Sequence, residues 1–218
     1  MRPVRRLLVV LSLVGLVTAG SAVANHLDPQ KRIRPADQAR ARAMLLRKAD
    51  LSPAYKATPA SPDEVDVDCK ALDESDLTLT GEAESPEFQV QGGVEFISSL
   101  AQVYASVADA NTSWRRGTSA AGEKCAKDEF RRQFQKAGIR LDSFRRTAFP
   151  RLAERSVAYR LVASSQGVRV YIDVVVLMQS RGQAALLLGS ALTPIPKAEQ
   201  VRLARLVAGR MAKSMRGA

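Results

Sequence analysis

"RSVAYRLVASSQGVRVYIDVVVLMQSRGQAALLLGSAL", residues 155–192, decides the fold class. Val168, Val170, Ile172, Val174, Val176 and Met178 recur at every second position, the period of one strand face, while Arg169, Tyr171, Asp173, Val175 and Leu177 make a mixed opposite face. Ser165-Gln166-Gly167 and Ser180-Arg181-Gly182-Gln183 interrupt the apolar pattern with turn-forming residues. Runs 155–164, 168–178 and 184–192 therefore predict an antiparallel meander, and the middle run, apolar on one face and mixed on the other, is its central strand.

Working outward, residues 140–149 supply another strand-like run. Upstream, "DLTLTGEAE" (76–84) alternates Leu77, Leu79, Gly81 and Ala83 with Thr78, Thr80, Glu82 and Glu84. "VEFISSLAQVYAS" (94–106) sets Val94, Phe96, Ser98 and Leu100 against Ile97, Ala101 and Val103, so these two runs read as neighbouring, half-buried antiparallel strands. At Ser106 the period changes. Ser106 caps one helical pattern, and "TSAAGEKCAKDEFRRQFQKAG" (118–138) is a longer one with Ala121, Cys125, Phe130, Phe134 and Ala137 on one side, stopped by Gly138. Near the end of the chain, Val201, Ala204, Ala208, Met211 and Met215 share one helix face and Arg202, Arg205, Arg210, Lys213 and Arg216 the other. Residues 36–49 form a further helix, with Ala39, Ala43 and Leu46 on one side, ahead of a Pro- and Ser-rich loop. The expected fold is α+β: a twisted antiparallel sheet with helices packed on it, in one domain over residues 36–218.

The first 24 residues place that domain outside the cytosol. Arg2, Arg5 and Arg6 precede the apolar run Leu7–Val17, and Ala22-Val23-Ala24 satisfies the small-x-small cleavage rule, the layout of a secretory signal peptide cleaved after Ala24. The apolar run falls short of the roughly 20 residues a membrane span needs. Residues 25–35 read as a flexible leader. In an oxidising compartment the two cysteines, Cys69 and Cys125, pair rather than stay reactive, and no C-x-x-C spacing argues otherwise.

Charge divides the chain. Removing the three signal arginines lowers the net charge from +11 to +8, and residues 61–98 carry eleven carboxylates against one lysine, whereas residues 99–218 carry twenty-one Lys and Arg against eight Asp and Glu. Cys69 sits in the acidic part and Cys125 in the basic part, so the disulfide ties together segments of opposite sign.

Little in the sequence points to catalysis. His26 is the single histidine and lies in the leader, which removes Ser-His-Asp triads, Cys-His pairs and histidine metal sites, and no nucleophile-elbow, P-loop or dinucleotide fingerprint occurs. Asp66 with Asp68, and Glu82 with Glu84, have the spacing of paired carboxylates, but nothing marks an apolar pocket around them, so a carboxylate-based hydrolase is the weakest reading and neither metal nor cofactor is expected. Binding is the stronger one. Tyr104, Trp114, Tyr159 and Tyr171 are the candidate ligand-binding residues, and Arg202, Arg205, Arg210, Lys213 and Arg216 the candidate contacts to an anionic surface. The expected partners are a lipid or anionic envelope polymer, or alternatively another envelope protein; export and scarce aromatics argue against nucleic acid.

The order of these features is also familiar. A signal peptide, "ARAMLLRKADLSPAY" (41–55), a cysteine in an acidic stretch, "QVYASVADANTSW" (102–114) and a second cysteine in the following helix resemble the extracellular sensor-like domains of actinobacteria, including those of PknH-type Ser/Thr kinases. That resemblance implies an α+β domain with a cleft for an apolar or envelope ligand and no catalysis. This chain departs from the pattern in having two cysteines where two disulfides are common, and in carrying neither kinase nor lipid anchor.

Overall fold

A computed structural model describes residues 26–58, 69–90, 92–191 and 193–217. The signal peptide, its cleavage site and the Asp66–Asp68 pair lie outside the described residues.

Nine strands form one sheet: β1 Gln30–Lys31, β2 Tyr55–Thr58, β3 Thr78–Glu84, β4 Glu87–Val90, β5 Glu95–Tyr104, β6 Arg140–Thr147, β7 Arg155–Ser165, β8 Val168–Gln179 and β9 Gly182–Ala191. The helices are α1 Pro35–Met44, α2 Val107–Thr118, α3 Ala120–Lys136 and α4 Lys197–Ser214. The sheet runs β1-β3-β5-β9-β8-β7-β6, with β4 continuing beside β5 and β2 pairing with β4. All pairs are antiparallel except β1–β3. The expected meander is present as β7-β8-β9. Its first turn is the two-residue Gln166-Gly167, both at positive φ (51° and 80°), which matches the twist of the flanking strands.

Side-chain alternation on β8 sorts the helices into two layers. Val175 and Leu177 point into a core shared with α1 and α4, whereas Val170, Ile172 and Val174 pack with Phe134 of α3, and Met178 packs with Ala110 of α2. The sheet is therefore covered on both faces. This corrects the half-buried expectation for β5, where Phe96 faces the α3 layer and Ile97 the α1–α4 layer, both fully buried. Close approach is purchased with glycine at two points: a Cβ on Gly81 would collide with the backbone carbonyl of Asp37 in α1, and one on Gly189 with the ring of Phe96.

Cys69 and Cys125 form a disulfide, with Cα atoms 6.3 Å apart across 56 residues of chain. It ties the short 3₁₀ turn Lys70–Leu72 to α3. Closing such a loop stabilises the fold by about 4 kcal/mol in the chain-entropy account. Ser106 caps α2 by accepting from the Asp109 N–H at 3.0 Å, and Ser119 caps α3 by accepting from the Gly122 N–H at 3.0 Å.

Two readings are corrected. Residues 26–35 are not a leader free of the domain: Gln30 and Lys31 pair in parallel with Thr78 and Leu79, and the Arg32 and Arg34 N–H groups donate to Leu79 and Thr80. The first helix ends at Met44 and buries Asp37, Ala41 and Met44 rather than Ala39 and Ala43. An apolar count alone misplaces its face because the residue that fixes the rotation is a buried carboxylate.

Candidate functional site

That carboxylate, Asp37, is 2% exposed and is held bidentately by Arg181 at 2.7 and 2.9 Å, with Arg40 at 2.7 Å as a third donor. Arg181 comes from the β8–β9 turn and also donates to the Tyr104 carbonyl at 2.8 Å. The Arg181 hydrogen bonds outweigh burial and hold the Asp37 carboxyl far below the usual range. A second buried pair joins Asp173 of β8 to Arg160 of β7 at 2.8 and 3.0 Å, with Gln200 of α4 donating to Asp173 at 2.9 Å. A third joins Asp50 to Arg210 at 2.6 and 2.7 Å. Burial opposes ionisation of Asp50, but the Arg210 guanidinium and the Arg47 N–H and charge together more than offset it and lower its pKa. These pairs fasten α1 and α4 to the sheet and to the turn after α1. Only Asp173 carried a warning in the sequence, the single carboxylate of a largely apolar strand.

The four aromatic candidates do not converge on one surface. Tyr104 is buried; its hydroxyl lies 2.9 Å from Ser113 Oγ and donates to Glu74 at 3.0 Å, with Trp114 packed alongside. Burial raises the pKa of both Tyr104 and Glu74. Tyr159 belongs to the α3 layer, stacked on Phe144 at 5.5 Å, and its hydroxyl donates to Glu123 at 2.9 Å. Burial and the Glu123 carboxylate push its pKa up to about 12, and the Arg146 guanidinium lies 5.8 Å from the ring centroid. Tyr171, at an odd position on β8, stands half-buried on the opposite face of the sheet. Tyr104 and Tyr159 are thus internal, with their hydroxyls satisfied, Trp114 is half-buried beside Tyr104, and Tyr171 is separated from them by the sheet.

A shallow cleft of about 480 Å³ lies between the start of β6 and the β7–β8 turn, lined by Arg140, Asp142, Ser164, Gln166 and Arg169 among others. None of the aromatic candidates lines it. Within its lining, Arg140 donates to Asp142 at 2.7 Å. Of the paired carboxylates, Glu82 is engaged by Lys31 at 2.7 Å and Gln102 at 3.2 Å, so it is no free acid or base. Among the described residues no group of His, Cys, Asp and Glu is arranged to hold a metal ion.

The five candidate cations of α4 and of the turn that ends it fall into two sets. Arg202 is clamped by Glu199 at 2.7 Å and donates to the Asp50 carbonyl at 2.9 Å, and Arg210 is clamped by Asp50. Arg205, Lys213 and Arg216 are exposed and have no hydrogen-bond or ion-pair partner among the described residues. At one hundred degrees per residue Arg205, Gly209 and Lys213 fall on one stripe of the helix, and Arg216 follows in the turn just past its C-terminal end.

No family model matches the chain, and no curated protein does. Among solved structures it is similar to the extracellular domain of PknH from Mycobacterium tuberculosis, with a TM-score of 0.46 and 9% identity over 84% of this chain and 98% of that one. It is also similar to an uncharacterised protein of Mycobacterium smegmatis, the Rv0999 ortholog, with a TM-score of 0.33 and 12% identity over 57% of this chain and 61% of that one. The first of these is of the type that the order of sequence features resembles.

Proposed function

We propose that this chain is an exported, non-catalytic binding module of the cell envelope that takes an anionic ligand. The observation that carries this reading is the division of charges on α4 and the turn that ends it: two arginines fasten the helix, while Arg205 and Lys213 on its outer side and Arg216 just past its end stand free. The internal aromatics weaken the apolar alternative, since Tyr104 and Tyr159 are buried and their hydroxyls already bonded. Non-catalysis is supported by the acids. Asp37, Asp50 and Asp173 are each ion-paired, and Glu74 shares its hydrogen bonds with Tyr104, which leaves none of them a free partner for a substrate proton.

The test is the binding of inorganic polyphosphate, a soluble polyanion, to the secreted protein by titration calorimetry at 50 and 500 mM salt. Binding that weakens steeply with salt is expected, because exposed charges are screened over about a Debye length. Absence of binding at the lower salt would sink the reading.

A further inference from the structure

The charge on the two helical layers is unequal. The α1–α4 layer, residues 35–50 and 197–217, carries ten Lys and Arg against three Asp and Glu. The α2–α3 layer with the turn that leads into it, residues 70–77 and 107–136, carries eight against seven. The three carboxylates of the first layer are each occupied: Asp37 by Arg181 and Arg40, Asp50 by Arg210, and Glu199 by Arg202. These two stretches therefore carry a surplus of seven positive charges, with each of their three carboxylates already paired. Amid the cations of α4 stands Leu206, 37% exposed, one of the few large apolar side chains exposed among the described residues. Gly209, with nothing within 4 Å of where a Cβ would be, leaves the middle of the stripe low.

We infer that the outer face of α4, flanked by α1, docks on the surface of a bilayer containing acidic phospholipid, with Arg205, Lys213 and Arg216 as its charge contacts and Leu206 as its apolar one. This rests on the anionic-ligand reading above and names the partner. The charge pattern fits the plane of an acidic membrane: one broad face is strongly positive and the opposite layer nearly neutral, so the field orients the molecule with the α2–α3 layer and the disulfide turned outward. The apolar side chain among cations favours a bilayer over a soluble polymer, because an interfacial helix gains from buried apolar area as well as from charge. The contact is peripheral; among the described residues no helix is long and apolar enough to cross a membrane.

The experiment is flotation of the secreted protein with vesicles of phosphatidylcholine alone and with vesicles containing 30% phosphatidylglycerol. Compared are the wild type, a triple variant Arg205→Gln, Lys213→Gln, Arg216→Gln, and a control triple Lys70→Gln, Lys127→Gln, Lys136→Gln on the other layer. All six positions are half-buried or exposed and outside the ion pairs described, and circular dichroism checks that each protein is folded. Binding only to the acidic vesicles is expected, lost about a hundredfold in the α4 triple, since each cation near an acidic surface contributes about a factor of five, and little changed in the control. An equal loss in both triples, or no preference for acidic vesicles, overturns the inference. Polyphosphate binding without vesicle binding would overturn the bilayer assignment and leave the anionic-ligand reading standing; absence of both would remove the two together.

Discussion

Replacing Arg181 with methionine isolates the buried pair that sets α1 on the sheet. Arg181 is 12% exposed and Asp37 2% exposed at the side chain, so the substitution leaves a buried carboxylate with Arg40 as its remaining charged donor, and also strips a donor from the Tyr104 carbonyl. Breaking a buried pair on one side costs about 3–5 kcal/mol, mostly the desolvation of the charge left behind. Arg40 is partly exposed and retains part of the interaction, so a loss of about 3 kcal/mol at pH 7 is expected, or roughly 6–12 °C in melting temperature for a domain of this size. The pH dependence identifies the cause. The folded-state pKa of Asp37 lies below its unfolded value of 3.8, so the pair's contribution is present in full above that value and fades as pH falls toward the folded pKa. Urea unfolding followed by Trp114 fluorescence should then show the gap between wild type and Arg181→Met narrowing below about pH 4. Combining Arg181→Met with Asp37→Leu should recover much of the loss, because apolar residues can replace both members of a buried pair together. A gap under 1 kcal/mol at pH 7, or one that does not change with pH, would refute the assignment of Asp37 and Arg181 as the latch of α1.

Thiol labelling of the denatured secreted protein should need a reductant, and the double Cys69→Ser, Cys125→Ser variant should lose about 4 kcal/mol in urea unfolding; equal labelling with and without reductant would remove the disulfide. Glu74→Gln should become more stable relative to the wild type as pH rises from 4 to 8. Burial raises the Glu74 pKa in the folded state, so its ionisation costs stability, whereas glutamine still accepts from Tyr104; a flat difference across that range would contradict this account. Gly189→Ala should destabilise by about 1–3 kcal/mol through collision with Phe96, and a paired Phe96→Leu substitution should relieve it. If the two changes add without coupling, the close approach is not what Gly189 is for.

The strands were legible because their period is two and their turns carry Gly, Ser and Gln in short runs; β7, β8 and β9 lie close to the expected ranges, and β3 pairs with β5. The α4 face was legible for the same reason at a period of 3.6, although burial also takes in Gln200, Leu203 and Val207. What hydropathy could not show is where polar groups are buried. Asp37 turns α1 away from its alanine stripe because Arg181, 144 residues later, waits beneath it, and no local pattern encodes that separation. Gln30 and Lys31 likewise join the sheet through backbone hydrogen bonds, which any sequence can make. The aromatic candidates failed to converge for a related reason: Tyr104, Trp114 and Tyr159 looked like a ligand surface, but this sheet is covered on both faces, and their rings fill the layer under α2 and α3.

Covering both faces has a consequence for where binding can occur. A one-layer α+β sheet offers an open face to a ligand, and its aromatic side chains can serve as a floor. Here α1 and α4 occupy one face and α2 and α3 the other, so contacts with a partner move to the outer surfaces of the helices, to the edge strand β6 or to the rim cleft beside it. Strand β6 carries Arg140, Arg145 and Arg146 along an open edge, a pattern that discourages pairing with another copy by setting like charges against each other. In the cleft, Arg140 is already engaged by Asp142. On α4 and the turn that ends it, by contrast, the sequence places more cations than the architecture uses: Arg202 and Arg210 suffice to fasten the helix to the Lys48–Asp50 turn, and Arg205, Lys213 and Arg216 remain after that need is met. Charge that folding does not consume, concentrated on the layer whose carboxylates are all paired, is what the proposed anionic partner would meet.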